Sequence, residues 1–282
     1  MIRLIADAGS TKIDWALISG NLPLRKFATS GVNPVVMQAG EIFSRFQAEV
    51  CPKLEGEVPD EVYYYGAGCI PSLCGDMKEL LSEITGCANV TVASDMLGAA
   101  RSLCGHKPGI ACILGTGSNS CLYDGESIVD AVAPLGFILG DEGSGAVIGR
   151  RFLSDMLKRQ YPPEVGDNFE KRFGLSAGDI VRRVYKEASA NVFLASFMPF
   201  VGECMREESV ESMVVDEFCR FLRRNVSAYS GWNTLPVNFT GSVACHFSSQ
   251  LRKALAMCGM NAGEIKADPI DGLINYHNTI TE

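Results

Sequence analysis

The chain has 282 residues, of which 47% are hydrophobic and 21% charged, and its formal net charge is -8. This length allows two domains, and the composition is ordinary for a globular protein. The acidic balance argues against a nucleic-acid partner, because that binding requires clustered Lys and Arg. Asp7 interrupts the first apolar run, and no apolar run approaches the roughly 18 residues of a membrane span. We therefore expect a cytoplasmic protein that has no signal peptide and no membrane partner.

The N-terminal stretch predicts two strands joined by a turn of small and polar residues. The first strand ends at Asp7, and the turn is Gly9-Ser10-Thr11-Lys12. Glycine lets a ligand approach the backbone, the hydroxyls are donors and lysine is a positive charge, which together suit a polyphosphate. The carboxylate could hold Mg²⁺ through its waters, since hard cations prefer oxygen ligands. A plain β-hairpin explains the same residues equally well.

The same pattern returns later in the chain. An apolar strand leads into the turn Gly115-Thr116-Gly117-Ser118-Asn119, and a second strand follows. Two such turns indicate a duplicated unit, and the repeat favours the phosphate-binding interpretation over the plain hairpin.

Between the two turns, predicted strands alternate with predicted helices, which implies a mainly parallel sheet. Asp95 follows a short strand directly and opens a helix of small residues. Ligands of open α/β sheets bind at this end of the strands. The structural alternative is a helix N-cap at Ser94 or Asp95, and position alone favours the cap.

A glycine-rich segment, residues 136–145, follows the second turn. Acids suit the positive end of a helix dipole, so a helix is predicted to open with Asp141 and Glu142 and to continue to about Arg159. A helix N-cap preceded by a flexible glycine-rich loop would explain this pattern. Four glycines within these ten residues cost more chain entropy than such a cap needs, and they point to a binding segment.

The C-terminal part predicts a strand that runs into a turn at Gly241 and Ser242, and a last helix that begins near Asp268. The eleven cysteines are scattered without a Cys-x-x-Cys pair, so we expect reduced core residues rather than a metal site. No motif joins the three histidines, and each is expected to be a surface or core residue.

Taken in order, the motifs resemble the sugar kinase, heat-shock 70 and actin superfamily. The run 140–144 narrows the resemblance to the N-acetylglucosamine kinase-like branch, the BadF/BadG/BcrA/BcrD ATPase family. The resemblance implies an α/β fold of two ribonuclease H-like (actin-like ATPase) domains with a nucleotide cleft between them. The N-terminal domain would comprise residues 1–108 plus 267–282, and the C-terminal domain residues 109–266.

The resemblance also implies the roles of the candidate site residues. Asp95 would be the catalytic base, and Asp7 would place the metal. The residues that would bind ATP are Gly9, Ser10, Thr11, Lys12, Thr116, Gly117, Gly241 and Ser242. The residues that would bind the sugar are Asn33, Ser118, Asn119, Gly136 and Asp141. Ser242 departs from the family pattern, which often has a second glycine there.

The expected function is therefore an ATP-dependent kinase that phosphorylates a hydroxyl of an amino sugar, with N-acetylglucosamine first among the substrates. Its cofactors would be ATP and Mg²⁺. Two alternatives stay open. One is the dehydratase-activating ATPase of the same family, which carries an iron–sulfur cluster, and the other is a non-catalytic sugar or nucleotide sensor. The oligomeric state also stays open, with a homodimer among the options.

Overall fold

The computed structural model describes residues 1–20 and 22–279, so Asn21 and residues 280–282 of the predicted N-terminal domain lie outside the described residues. The chain divides into two compact units. The first unit comprises Met1–Lys107, Asp124–Ile128 and the segment from Asp268 onward, and the second comprises Pro108–Tyr123 and Val129–Ala267. Residues 124–128, expected in the C-terminal domain, thus group with the first unit. The domain boundaries drawn from the sequence stay a prediction.

Strands and helices alternate along much of the chain. The elements of its first part are β1 (Ile2–Ala8), β2 (Lys12–Ser19), β3 (Leu22–Ser30), α1 (Ala39–Glu49), α2 (Cys51–Leu54), β4 (Glu61–Gly66), α3 (Pro71–Thr85), β5 (Val90–Ser94) and α4 (Asp95–Cys104). The elements that follow are β6 (Gly109–Leu114), β7 (Ser118–Tyr123), β8 (Ile128–Asp130), α5 (Gly136–Leu139), α6 (Gly145–Leu157), α7 (Pro163–Phe173), α8 (Ala177–Lys186), α9 (Ala190–Ala195), α10 (Met198–Glu203), α11 (Glu208–Arg224), a 3₁₀ turn (Val226–Ala228), β9 (Pro236–Thr240), α12 (Ser242–His246), α13 (Ser248–Met257), β10 (Asn261–Lys266) and α14 (Ile270–Thr279).

The two sheets have the same strand order. The first is β3-β2-β1-β4-β5 and the second is β8-β7-β6-β9-β10, so each unit places its first strand in the centre. The duplication indicated by the two turns is therefore confirmed. In both sheets the first two strands pair antiparallel, and the first, fourth and fifth strands pair parallel.

The expectation of a mainly parallel sheet is wrong, because both sheets are mixed. Short turns can join only antiparallel neighbours, whereas parallel neighbours need a crossover, such as the helix α3 between β4 and β5. The strand β10 was not predicted, since its sequence, NAGEIK, has neither an apolar run nor β-branched residues apart from one isoleucine.

Alternation along β1 and β2 divides the first sheet into two faces. Trp15 packs into the core that α1 and α3 cover, whereas Ile5 packs against Leu273 of α14 on the other face. Since successive side chains of a strand point to opposite faces, Asp7 lies on the α14 side, and so does Asp14, its partner in the antiparallel register. Both carboxylates thus belong to the face that α4 and α14 cover.

The sequence predicts no membrane-spanning segment. Among residues 1–20 and 22–279, every helix is too short or too polar to cross a bilayer.

At Gly98, α4 approaches β4 closely. A Cβ on Gly98 would lie 2.6 Å from the Cβ of Tyr65. We predict that Gly98→Ala lowers the free energy of unfolding by about 1–3 kcal/mol, as overpacking does. Gly75→Ala is the matched control, because Gly75 also lies within a helix but has nothing within 4 Å of an added Cβ. That control should raise the free energy of unfolding by about 0.4–1 kcal/mol. Urea denaturation measures both, and equal effects would contradict the close approach.

Candidate functional site

The turn between β1 and β2 is held by backbone bonds, which leaves its side chains exposed. The amide of Gly9 donates to the carbonyl of Lys12 at 2.9 Å, and the amide of Gly31 donates to the carbonyl of Thr11 at 3.0 Å. A Cβ on Gly31 would overlap the backbone of Thr11, so the loop after β3 braces the turn only with glycine at that position. Ser10 and Thr11 are exposed and are free to meet a ligand.

Two side chains beside this turn already have partners within the protein. The Lys12 ammonium lies 2.7 Å from Asp14, and this hydrogen bond raises the pKa of Lys12. The Asn33 side-chain amide donates to the Ser10 hydroxyl at 3.2 Å. Asn33, a predicted sugar ligand, is therefore placed against the predicted phosphate turn of the first unit.

Three other carboxylates influence Asp7 at this edge of the first sheet. Burial raises the pKa of Asp7 to about 7, with smaller contributions from the negative charges of Asp14, Asp95 and Asp268. Asp268 precedes α14 and Asp95 opens α4, so the alternation of β1 and the ends of two helices bring the group together. The sequence prediction missed Asp14 and Asp268, although the spacing of Lys12 and Asp14 on a strand places both on one face.

Asp95 is the first residue of α4, and it is not the helix cap. The Ser94 hydroxyl accepts the amide of Leu97 at 3.2 Å and caps the helix, whereas the Asp95 carboxylate accepts the amide of Met96 at 2.8 Å. Of the two caps considered from the sequence, Ser94 is the one observed. Burial raises the pKa of Asp95. The carboxylate is therefore not needed to cap the start of the helix.

The carboxylate group fits Mg²⁺ held jointly with a ligand, but not an all-protein cage. Among the described residues, no group of three or more His, Cys, Asp or Glu side chains is arranged to hold a metal. Mg²⁺ is usually bound through one or two carboxylates, with waters and substrate phosphates completing its shell. Burial and neighbouring negative charges disfavour the ionised form of Asp7. A divalent cation would stabilise that ionised form.

The turn between β6 and β7 is tied to α6. The amide of Gly145 donates to the carbonyl of Gly115 at 2.8 Å, and the amide of Ala146 donates to the carbonyl of Thr116 at 3.1 Å. Within the turn, the amide of Gly115 donates to the carbonyl of Gly117 at 3.0 Å. The N-terminal amides of α6 are therefore occupied by the turn, while the Thr116 side chain stays exposed.

The predicted helix start at Asp141 is wrong. The helix α6 begins at Gly145 with Ser144 as its cap, and it ends at Leu157 rather than near Arg159. Asp141 lies in a turn with φ of 54°. This left-handed conformation does not occur within a right-handed α-helix, so the helix cannot include Asp141. Acidic residues are favoured near a helix start, but they do not fix which residue is the N-cap. Here Ser144, three residues after Asp141, is the N-cap of α6.

Asp141 instead joins two parts of the second unit. Burial raises the pKa of its carboxyl, while the backbone amides of Ser118 and Gly136 donate to the carboxylate and oppose that shift. A recess of about 70 Å³ lies beside it, and Ser118, Asn119 and Asp141 all line this recess. Four of the five predicted sugar ligands are thus brought together, and Asn33 lies in the other unit.

The recess has polar neighbours that the sequence prediction missed. Glu142 is buried, forms an ion pair with Arg224 at 2.5 Å and accepts the side-chain amide of Asn225 at 3.4 Å. Arg224 and Asn225 also line the recess. Arg224 is the last residue of α11 and Asn225 follows it. The arginines at this helix end resemble an ordinary solvent-exposed face in the sequence, so no local signal marks the two residues.

A larger pocket of about 350 Å³, here called the α12 pocket, lies beside the Gly115–Thr116 turn. Gly241 has φ of 105°, and a Cβ there would overlap the carbonyl of Leu114, so only glycine lets α12 begin at this point. The pocket is lined by Gly115, Thr116, Ala195, Ser196, Met198, Pro199, Ser242, Val243, His246 and Phe247. Thr116 and Ser242, both predicted ATP ligands, therefore share one pocket, whereas Gly117 lies toward Asp141.

Comparison with solved structures finds a close relative. The chain is 44% identical to a candidate N-acetylglucosamine kinase of Porphyromonas gingivalis, with a TM-score of 0.94 over 98% of each chain. A candidate N-acetylglucosamine kinase of Chromobacterium violaceum is 18% identical, with a TM-score of 0.73 over 98% of each chain. A ROK family glucokinase of Streptomyces griseus, solved with glucose and AMPPNP, is 15% identical, with a TM-score of 0.59 over 99% of each chain.

The last two similarities show the fold alone. No protein-family model and no curated protein matches the chain, so the narrower BadF/BadG/BcrA/BcrD label stays a prediction.

The pKa of Asp7 leads to a pH-dependent stability. Because its pKa rises from 3.8 to about 7 on folding, the neutral carboxyl favours the folded state at low pH, and this contribution is lost as the pH rises from about 4 to 7. We predict that Asp7→Asn melts above the wild type at pH 8 and that the difference disappears near pH 4. The gain should be on the order of 10 °C, since a rise in pKa from 3.8 to about 7 corresponds to about 4 kcal/mol and about 1 kcal/mol corresponds to roughly 2–4 °C in a chain of this size. Thermal melts without Mg²⁺ measure it, and a pH-independent difference would contradict the prediction.

Proposed function

Because the chain belongs to the N-acetylglucosamine kinase-like family of sugar kinases, we propose that it transfers the γ-phosphoryl group of ATP to a hydroxyl of an amino sugar, with N-acetylglucosamine as the first candidate. The observation that carries this proposal is the pair of desolvated carboxylates, Asp7 and Asp95, beside the exposed Gly9–Lys12 turn. A phosphoryl-transfer site needs a metal-binding carboxylate, a proton acceptor and phosphate donors. This edge of the first sheet offers all three.

Hydroxyl groups, backbone amides and one ammonium group would bind the phosphates. Ser10, Thr11 and Lys12 of the first unit and Thr116 of the second would donate to the β- and γ-phosphates, with Gly9 and Gly117 leaving room for the backbone approach. Lys12 would exchange its bond to Asp14 for a phosphate oxygen. Asp7 would hold Mg²⁺, which would neutralise phosphate charge when bound. A relative in fold holds AMPPNP, which supports ATP as the donor.

Asp95 is proposed as the general base. Its carboxylate would accept the proton of the sugar hydroxyl as that oxygen attacks phosphorus. Burial raises its pKa, which moves the group toward the working pH and improves it as a base. Since Ser94 caps α4, the Asp95 carboxylate can serve chemistry without loss of the helix.

The sugar would meet the recess of the second unit. Asp141, Asn119 and Ser118 would hydrogen-bond its hydroxyls, with Gly136 shaping the wall, and Asn33 would contribute from the first unit. Adenosine would occupy the α12 pocket beside Gly241 and Ser242. Carboxylates and amides suit a ligand rich in hydroxyl groups, because each hydroxyl both donates and accepts.

The two alternatives predict different products. A dehydratase-activating ATPase would hydrolyse ATP without a sugar, and a sensor would bind without turnover. The family relationship, which rests on a relative described as a candidate sugar kinase, supports the kinase over both.

The decisive experiment is an ADP-release screen against amino sugars and simple hexoses. We predict sugar-dependent ADP release that falls roughly 10²–10⁴-fold in Asp95→Asn, the usual worth of a general base. ADP affinity of the variant should stay within error and its melting temperature should not fall, because Ser94 retains the cap and burial favours a neutral side chain at this position. Sugar-independent ADP release would favour the ATPase, and no release with retained ADP binding would favour the sensor.

The role of Asp141 has its own test. Asn tolerates the left-handed conformation better than most residues, so Asp141→Asn keeps the backbone and removes the charge. We predict a sugar KM that rises about 5- to 150-fold, since Asn replaces one carboxylate oxygen by a donor and removes a charge-assisted hydrogen bond worth about 1–3 kcal/mol. The KM for ATP should change little. A purely structural role predicts the opposite, namely a lower melting temperature and equal changes in both KM values.

A further inference from the structure

The α12 pocket has the size and composition of a nucleoside site. Its volume of about 350 Å³ falls within the usual range of roughly 300–1,000 Å³ for small-molecule pockets. Met198 and Val243 give it an apolar wall, and the His246 ring packs edge-on against Phe247 at 4.8 Å between centroids. A flat purine ring could lie against such a wall.

The polar side chains of this pocket are unusual in kind. Among the described residues that line it, the polar side chains are three hydroxyls and one imidazole, and none is an amide or a carboxylate. They belong to Thr116, Ser196, Ser242 and His246, and all four residues are exposed. Among the described residues that line the pocket, no polar side chain therefore has a fixed donor or acceptor pattern.

This matters because purines differ at their Watson–Crick edge. Adenine presents a donor at N6 and an acceptor at N1, whereas guanine and hypoxanthine present an acceptor at O6 and a donor at N1. A hydroxyl can turn to donate or accept, and an imidazole can do either by changing its tautomer. The Nε2 atom of His246 packs against Gly202, which leaves Nδ1 as the ring nitrogen that would donate or accept according to the tautomer.

One contact introduces a bias toward adenine. The Ser196 hydroxyl donates to the carbonyl of Phe193 at 2.6 Å, so toward the pocket it offers lone pairs and accepts better than it donates. That favours a 6-amino group. One neutral hydrogen bond is worth up to about tenfold in affinity, whereas a site built around fixed partners rejects the wrong analogue by roughly 10⁴-fold.

The geometry points to a purine-permissive nucleotide site, in which 6-oxopurine nucleotides such as ITP and GTP are accepted besides ATP, with ATP preferred by no more than about tenfold. This inference rests on the proposed kinase function. The transfer itself is unchanged: the bond between the γ-phosphorus and its bridging oxygen breaks, the sugar oxygen bonds to phosphorus, and IDP or GDP leaves in place of ADP.

The test measures binding before turnover. The full-length protein is titrated calorimetrically with ADP, IDP and GDP, and kcat/KM is then measured with ATP, ITP and GTP at a saturating sugar concentration. We expect dissociation constants and kcat/KM values within about tenfold across the three bases. ADP binding clearly more than about tenfold tighter than either IDP or GDP would overturn the inference, as would no binding of any nucleotide. If all three bind but no sugar is phosphorylated, the proposed function fails while the permissive site stands.

Ser196→Ala isolates the bias toward adenine, and Ser249→Ala on α13, an exposed serine that does not line the pocket, is its matched control. Ser196→Ala should weaken ADP binding by up to about tenfold and leave IDP binding unchanged, which removes the preference. The control should change neither. Equal losses for ADP and IDP, or no change for either, would overturn the role given to Ser196.

Discussion

The desolvated carboxylate of Asp7 is the constraint on which the rest of the structure depends. A buried carboxylate among like charges is costly to ionise, and the negative charges of Asp14 on β2, Asp95 on α4 and Asp268 in the loop before α14 all raise the pKa of Asp7. A hydrophobic residue at this position would complete the face that α4 and α14 cover. The fold instead retains an ionisable carboxyl at this edge. A cation bound together with a phosphate-bearing ligand would offset the negative charge of its ionised form.

The helices that meet at this edge are fixed by close packing and by one buried polar network. Gly98 lets α4 approach Tyr65, and the Tyr65 hydroxyl accepts from Arg101 at 2.9 Å and lies 2.9 Å from the Nε2 atom of His277. Burial lowers the pKa of His277 to about 3, so the ring is neutral at physiological pH. The network therefore joins α4, β4 and α14 through the charged Arg101, the Tyr65 hydroxyl and a neutral His277.

The two turns share a sequence pattern and a strand order, yet their surroundings give them different chemistry. In the first unit the turn is braced by a loop and exposes its hydroxyls beside carboxylates. In the second unit the first amides of α6 bind the turn carbonyls, while Asp141 accepts the amide of Ser118. The two copies of the unit thus differ: one has a carboxylate-rich edge, for which phosphate chemistry is proposed, and the other has a polar recess, for which sugar binding is proposed.

The sequence by itself determined the fold class and the candidate turns. Two actin-like ATPase units were expected from the repeat and from the motif order, and this expectation is confirmed, because glycine turns between apolar strands and the order of motifs along the chain are local properties that a sequence displays. The proposed site residues on those turns were found for the same reason, although their roles stay predictions.

Only the tertiary structure decided which groups meet. Asp14 and Asp268 join Asp7 because strand alternation and the position of α14 place them on one face, and residues far apart in the chain carry no mark of such proximity. The helix expected at Asp141 became a turn because Ser144 supplies the cap and the backbone at Asp141 is left-handed. Ser196 and His246 line one pocket because α9, α10 and α12 converge on the Gly115–Thr116 turn. Side-chain packing between distant segments decides such contacts, and local sequence patterns do not encode it.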